Sequence, residues 1–261
     1  MASLSPLPLP LPLPSDAALF LDFDGSLVPI APTPDSIAVP TGLVPLLRDL
    51  QGRLGGAVAI ISGREIAVLD AYLQPLQLAC AGAHGAQRRN ASGQQCNDAP
   101  GDISAVIDAC EQLAKAHPAL YVEPKQSGVA LHYRRDPSLE DLCLRSLQAM
   151  LAHRPQWTLL RGKQVLEMLP VGASKGRAID AFMQEPPFAG RTPFFVGDDI
   201  SDESGFAAVL AERGVAIKVG AGVSCASHRL DDVEAVYHWL QAACTQHRML
   251  SALGRPAEVQ P

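Results

Sequence analysis

A chain of 261 residues with 48% hydrophobic and 18% charged side chains is long enough for a full core and two domains, and its composition is that of an ordinary globular protein. A net charge of -6 argues against a nucleic-acid surface, and no stretch beyond the N-terminal segment approaches the roughly 20 apolar residues of a membrane helix. The cysteines (Cys80, Cys96, Cys110, Cys143, Cys225, Cys244) form no C-x-x-C pair and no zinc-spaced cluster, which fits free thiols in a reducing cytosol and a cytoplasmic location.

The chain begins with a Leu-Pro alternation from Leu7 to Pro14. It lacks a basic start and its prolines break any apolar helix, so residues 1–15 are expected to form a disordered or polyproline II tail and not a signal peptide. Ala17-Ala18-Leu19-Phe20-Leu21 then predicts a buried strand that runs into two carboxylates, Asp22 and Asp24. Side chains alternate along a strand, so the pair projects to one side where the strand ends, and like charges that close call for a cation, a shared proton or both. A proline-rich loop from Pro29 to Pro40 precedes an amphipathic stretch around Leu43 to Leu50. Two more apolar bursts follow, Ala57 to Ile61 ending in Ser62-Gly63-Arg64 and Leu76 to Ala81 ending in Gly82-Ala83-His84-Gly85.

Between Asp98 and Pro170 the pattern changes. A helix (Ile103 to Ala116), strands Leu120 to Glu123 and Val129 to Arg134, a second helix (Leu139 to His153) and strands Trp157 to Leu160 and Gln164 to Leu169 predict an inserted α+β domain over 99–170, with helices on one face of an antiparallel sheet. Its connections, Asn97 to Gly101 and Pro170 to Ala173, carry the Gly and Pro of hinge segments. The flanking parts, 16–98 and 171–261, form the core. There Lys175 opens a predicted helix, Pro193 to Val196 ends in Gly197-Asp198-Asp199, and Gly214 to Val219 ends in Gly220-Ala221-Gly222. Apolar strands alternating with helical stretches predict an α/β fold with a doubly wound parallel sheet, whose strand tips converge on one ligand site.

Taken as residues alone, Asp22 reads as a nucleophile, a metal ligand or a strand-end carboxylate. The acidic run from Gly197 to Glu203 supplies oxygen ligands suited to a hard cation such as Mg2+, and Asp199, Ser201 or Asp202 equally suit a helix cap. Ser62 followed by Gly63 lets the backbone approach an anion. Lys175 at a helix start opposes the dipole unless it faces an anion, and a lysine, a serine, a helix N-terminus and a metal together make a phosphate site. Arg64 suits the phosphate, the group that carries it, or a pair with Glu65 or Asp70 on its own helix. His84 and His132 are weaker candidates.

Asp22-Phe23-Asp24-Gly25-Ser26-Leu27, Ser62-Gly63-Arg64, Ser174-Lys175-Gly176 and Gly197-Asp198-Asp199-Ile200-Ser201-Asp202-Glu203, in that order, resemble the four motifs of haloacid dehalogenase-type phosphatases. The insert between the second and third motifs is similar to the larger, C2-type cap of that superfamily. After the tail, nearly the whole chain resembles the trehalose-6-phosphate phosphatase family, through Gly82-Ala83-His84-Gly85-Ala86-Gln87, Val122-Glu123-Pro124-Lys125, Gly128 to Arg134 and Gly162 to Glu167. Ser26 and Ser201 stand where that family often has Thr, and Gln87 where an acid is common.

The resemblance implies Mg2+-dependent hydrolysis of trehalose 6-phosphate through an aspartyl-phosphate. Asp22 is then the nucleophile and Asp24 the acid and base, with Asp22, the Asp24 backbone carbonyl and Asp198 on the metal and Asp199 and Asp202 behind them. Phe23, Gly25, Ser62, Gly63, Arg64 and Lys175 are expected around the phosphate, and Glu123, Lys125 and Glu167 on the disaccharide. A monomer acting on a small-molecule sugar phosphate, with no nucleic acid and no membrane, is expected. Two other readings keep parts of this pattern: a phosphatase for another sugar phosphate such as sucrose phosphate, and a non-catalytic sugar-phosphate sensor.

Overall fold

A computed structural model describes residues 8–9, 12–31, 36–97 and 101–253, with the backbone alone at 96–97 and 246–253. Parts of the expected tail (1–7, 10–11), of the proline-rich loop (32–35) and of the first hinge (98–100), together with 254–261, lie outside the described residues. In chain order the elements are β1 (Ala17–Leu21), α1 (Leu43–Arg53), β2 (Val58–Ile61), α2 (Ile66–Leu73), β3 (Ala79–Gly82), β4 (Gln87–Arg89), β5 (Gln95–Asn97), α3 (Ser104–Ala116), β6 (Tyr121–Lys125) and β7 (Gly128–His132). They continue with α4 (Glu140–Leu151), β8 (Trp157–Gly162), β9 (Val165–Pro170), α5 (Lys175–Met183), β10 (Thr192–Gly197), α6 (Glu203–Ala211), β11 (Val215–Val219), β12 (His228–Leu230) and α7 (Val233–Leu253).

The strands form two separate sheets. The larger runs in the order β12-β11-β10-β1-β2-β3-β4-β5, parallel from β12 to β3. Every residue of β1 and β2 is buried, as continuous apolar runs require when both faces of a sheet are covered. Phe20 on β1 stacks on Phe188 at 5.4 Å between ring centroids and meets Phe182 of α5, which anchors the centre of this core. The parallel sheet is longer than the apolar runs suggest, because β4 and β5 extend it with two antiparallel strands. Their sequences are polar, and the hairpin is set instead by Asn90, whose side-chain oxygen accepts from the Ser92 and Gln94 amides.

The smaller sheet, β6-β7-β9-β8, is wholly antiparallel and carries a second core. Val106 and Cys110 of α3 and Cys143 and Leu147 of α4 pack with Val129, Leu131, Leu166 and Met168 of the strands. Period-two alternation sends the intervening residues to the opposite face. Strand β6 continues through Pro124, which pairs with Val129 on the edge of the sheet, where a residue without an N–H is tolerated.

Residues of the expected tail are engaged with the core. Leu13 is buried and its carbonyl accepts from the Arg53 guanidinium, and the Pro8 carbonyl accepts from the Arg229 amide at 2.9 Å. Among the described residues no helix is long and apolar enough to cross a membrane.

Candidate active site

Register brings the strand tips together. Leu21 of β1 lies level with Val196 of β10 and Ile60 of β2, so the chain leaves the sheet at Asp22, at Asp198 and at Ser62 side by side. Asp22 N still donates to the Val196 carbonyl at 2.9 Å, which ties the first tip to the second.

Lys175, the first residue of α5, sits between two of these acids. Its Nζ is 2.7 Å from Asp22 Oδ1 and 2.6 Å from Asp202 Oδ1, with all three side chains buried. Ser174 caps the helix by accepting from Arg177 N at 3.1 Å, which leaves Lys175 at the dipole's positive end facing anions. Burial works against its charge, but Asp202 and Asp22 hold its pKa above the ordinary lysine range. Burial, with Asp202 and Asp198 nearby, pushes the Asp22 carboxyl well above its ordinary range against the pull of Lys175. The same causes, burial first and then Asp202, push Asp198 up to about 7.

Asp202 closes a small turn at Ile200–Asp202. Its Oδ2 accepts from the Asp198 and Asp199 amides at 3.0 and 2.9 Å, so the capping role and the contact with Lys175 coexist in one side chain. Carboxylate oxygens of Asp22, Asp198 and Asp202 all lie within 4.8 Å of one another. One buried lysine is short of the charge such a trio carries. The Asp198 carboxylate takes no hydrogen bond among the described residues, and an all-oxygen donor set of this kind fits a hard divalent cation.

Gly25 is required by this packing. It adopts φ +84°, and a Cβ there would stand 2.2 Å from Asp198 Oδ2. Its amide is already given to the Val28 carbonyl at 2.7 Å. The Phe23 ring is fully buried and stacks on Tyr72, so of that residue only the main chain is left to meet an anion. Ser62 Oγ accepts from the Arg64 amide at 3.1 Å. Arg64 pairs with neither Glu65 nor Asp70: its Nε and Nη2 hold Asp24 Oδ2 and Oδ1 at 2.6 and 2.7 Å. Asp70 takes Arg89 instead.

The second sheet faces these tips. Ala130 of β7 pairs with Glu123 on one side and Glu167 on the other, so the three stand in a row on the face opposite the second core, with the small Ala130 leaving space between two carboxylates. Lys125 lies two residues along β6 on the same face. Its Nζ donates to Glu167 Oε2 at 2.5 Å and to the Gly63 carbonyl at 3.0 Å, and His84 Nε2 lies 2.8 Å from Glu167 Oε1. Burial opposes the charge of Glu167, but Lys125 and His84 hold it well below the ordinary carboxylate range. Glu123 is likewise lowered against burial by His132, whose Nε2 is 2.9 Å from Glu123 Oε2.

The two sheets enclose a cavity of about 330 Å³ with Asp22, Asp24, Ser62, Lys175 and Asp198 on the floor and Glu123, Lys125, His132 and Glu167 above them. Further contacts hold the layers together. Glu65 Oε1 accepts from Gln126 N at 2.5 Å, and Arg134 reaches the Ala31 carbonyl at 2.6 Å. Lys218 escapes sequence reasoning, because it hides inside an apolar strand, where it donates to the Asp198 carbonyl. His84, a weaker candidate by sequence, meets Glu167 across 83 residues of chain.

A parallel sheet with acidic strand tips and a lysine-led helix, facing an inserted antiparallel sheet, is the arrangement of the haloacid dehalogenase-like phosphatases. Two solved structures share it. One is the C-terminal domain of Candida albicans trehalose-6-phosphate phosphatase, at TM-score 0.76 and 21% identity over 88% of this chain and 92% of that one. The other is a trehalose-6-phosphate phosphatase related protein, at TM-score 0.73 and 26% identity over 91% and 99%. The family model described as trehalose-phosphatase matches residues 20–238. The trehalose-6-phosphate phosphatase of Escherichia coli strain K12 is 41% identical over 242 residues, 92% of this chain and 91% of that protein. The chain therefore belongs to the trehalose-phosphatase family, and it is a phosphoric monoester hydrolase.

Proposed function

We propose that the protein hydrolyses trehalose 6-phosphate to trehalose and phosphate, with residues 99–170 acting as a cap over the core formed by 16–98 and 171–261. The observation that carries this reading is the alignment of Asp22, Lys175 and Asp198 at the strand tips directly beneath a row of sugar-competent groups, Glu123, Lys125 and Glu167.

An Asp22 carboxylate oxygen attacks phosphorus and the bond to the sugar oxygen breaks, giving an aspartyl-phosphate. Asp24 supplies the proton to the departing sugar oxygen and afterwards takes one from the water that releases phosphate. Lys175 and Ser62 balance and orient charge on the phosphoryl oxygens, the main source of catalysis in phosphoryl transfer. Asp22, Asp198 and the Asp24 carbonyl would hold Mg2+, with Asp202 and Asp199 ordering the loop behind them. When bound, the ion neutralises phosphoryl charge that a single lysine leaves uncompensated. Glu123, Lys125 and Glu167 read the hydroxyls of the two glucose rings, which the strand tips cannot do. The protein acts as a monomer in the cytoplasm on this small-molecule substrate.

The test is phosphate release from trehalose 6-phosphate against a panel of sugar phosphates, with and without Mg2+. Preference for trehalose 6-phosphate, dependent on Mg2+, is expected. A preference for sucrose phosphate would overturn the assignment of the cap residues, and no release from any sugar phosphate would turn the reading to a sensor.

A further inference from the structure

The turn at Gly82–Gly85 joins the phosphate loop to the cap. His84 N donates to the Ser62 carbonyl at 2.9 Å and Ala83 N to the Arg64 carbonyl at 2.8 Å. Ala83 and His84 both take positive φ, 46° and 54°, a conformation that non-glycine residues avoid and that persists where the surroundings enforce it. This backbone brings the imidazole to the cap, with Nε2 at 2.8 Å from Glu167 Oε1. Gly63 makes the room, since a Cβ there would stand 2.5 Å from that same nitrogen. An ionised carboxylate only accepts, so Nε2 carries the proton, and Nδ1 is buried with no partner among the described residues. Among those residues Glu167 is therefore the ring's one polar contact. The other Glu167 oxygen is taken by Lys125, which is itself bonded to the Gly63 carbonyl.

We propose that His84 is a positioning residue for the leaving group: by fixing Glu167 against the phosphate loop, it sets the spacing between the sugar-reading face and the phosphoryl site. The proposal rests on the reading of Glu167 as a sugar contact. Under it, Gly63 seats His84, a role separate from any approach of its backbone to the phosphate.

Steady-state kinetics on trehalose 6-phosphate and on p-nitrophenyl phosphate, whose leaving group offers Glu167 no hydroxyls, test it. His84→Ala and His84→Leu, which both lack the N–H donor, each raise KM for trehalose 6-phosphate about tenfold, the size of one hydrogen bond to a charged group, with kcat held within about threefold. KM for p-nitrophenyl phosphate moves by less than about twofold, and His84→Gln, which retains an N–H donor, recovers part of the loss. His84→Leu, closer to the imidazole in volume, keeps the test open if His84→Ala fails to fold. An unchanged KM for trehalose 6-phosphate in both variants, with a raised one in Glu167→Gln, overturns the proposal and leaves the sugar reading standing. An unchanged KM in Glu167→Gln as well overturns the sugar reading too. Equal losses on both substrates overturn the positioning role and mark His84 as structural.

Discussion

Arg64 holds Asp24 with both arms of its guanidinium, Nε at 2.6 Å from one carboxylate oxygen and Nη2 at 2.7 Å from the other, and the Tyr72 ring lies 5.5 Å from the guanidinium carbon. The two side chains come from adjacent strand tips, so the pair is built by the register of β1 and β2. In the proposed reaction ionised Asp24 is the form that takes a proton from water, whereas donating one to the sugar oxygen requires the pair to part. Arg64→Ala lowers kcat about tenfold to a hundredfold, and it costs far less in an Asp24→Asn background because the two residues act as one unit. Arg64→Lys does not recover the loss, since an ammonium cannot make the bidentate pair. A double-mutant cycle in kcat measures this, and additive costs would contradict it.

Gly25→Ala tests the floor of the site. The added methyl falls 2.2 Å from Asp198 Oδ2 on a backbone at φ +84°, so the carboxylate must move. A fall in kcat/KM of about a hundredfold, with a rise in the Mg2+ concentration needed for half-activity, is the expected outcome of displacing one metal ligand. Normal Mg2+ dependence in this variant would remove Asp198 from the metal site.

Lys175→Met leaves Asp22 and Asp202 buried together without their cation. Unfolding by urea at about pH 8 shows a loss of about 3–5 kcal/mol, the cost of orphaning a buried charge. The raised pKa of Lys175 means that its contribution is complete below the ordinary lysine range and fades only as pH climbs through the folded value. The variant's deficit shrinks as pH falls, because protonation of Asp22, already shifted upward by burial, removes the uncompensated charge. A deficit independent of pH would show that the network is not electrostatic.

Removing metal exposes a second pH dependence. Burial and then Asp202 push Asp198 up to about 7 in the fold, above the ordinary carboxylate range, and burial raises Asp22 as well, so across that window the folded protein binds more protons than the unfolded chain. Stability then falls as pH rises through that window. In chelator, Tm drops from about pH 5 to about pH 8, and Mg2+ restores it most at the higher pH. A melting profile that Mg2+ leaves unchanged across this range would deny the cluster a metal.

The parts of this molecule written in apolar pattern are legible in its sequence. The strand that runs into Asp22, the tips at Ser62 and Gly197, and the helical and alternating stretches of the insert all declare themselves by periodicity. Strands β4, β5 and β12 do not, because three-residue polar segments take their place from neighbours and turns. Glu123 and Lys125 share a face by simple alternation once Pro124 is accepted on an edge strand. Partnerships across the chain lie beyond such reading. That Arg64 chooses Asp24 over Asp70 follows from strand register, and that His84 meets Glu167 follows from a left-handed turn and the missing Cβ of Gly63. Phe23 sits inside a functional motif, yet its ring serves the core, a distinction that only packing reveals.

The proposed reaction turns on Asp22 as its nucleophile. Rapid acid quench of the enzyme during turnover of trehalose 6-phosphate, followed by peptide mass spectrometry, locates any covalent phosphate. Phosphate on Asp22 in the wild-type protein, and neither phosphoenzyme nor turnover in Asp22→Asn, are the expected results. Undiminished turnover by Asp22→Asn, or phosphate on another residue, would contradict that role.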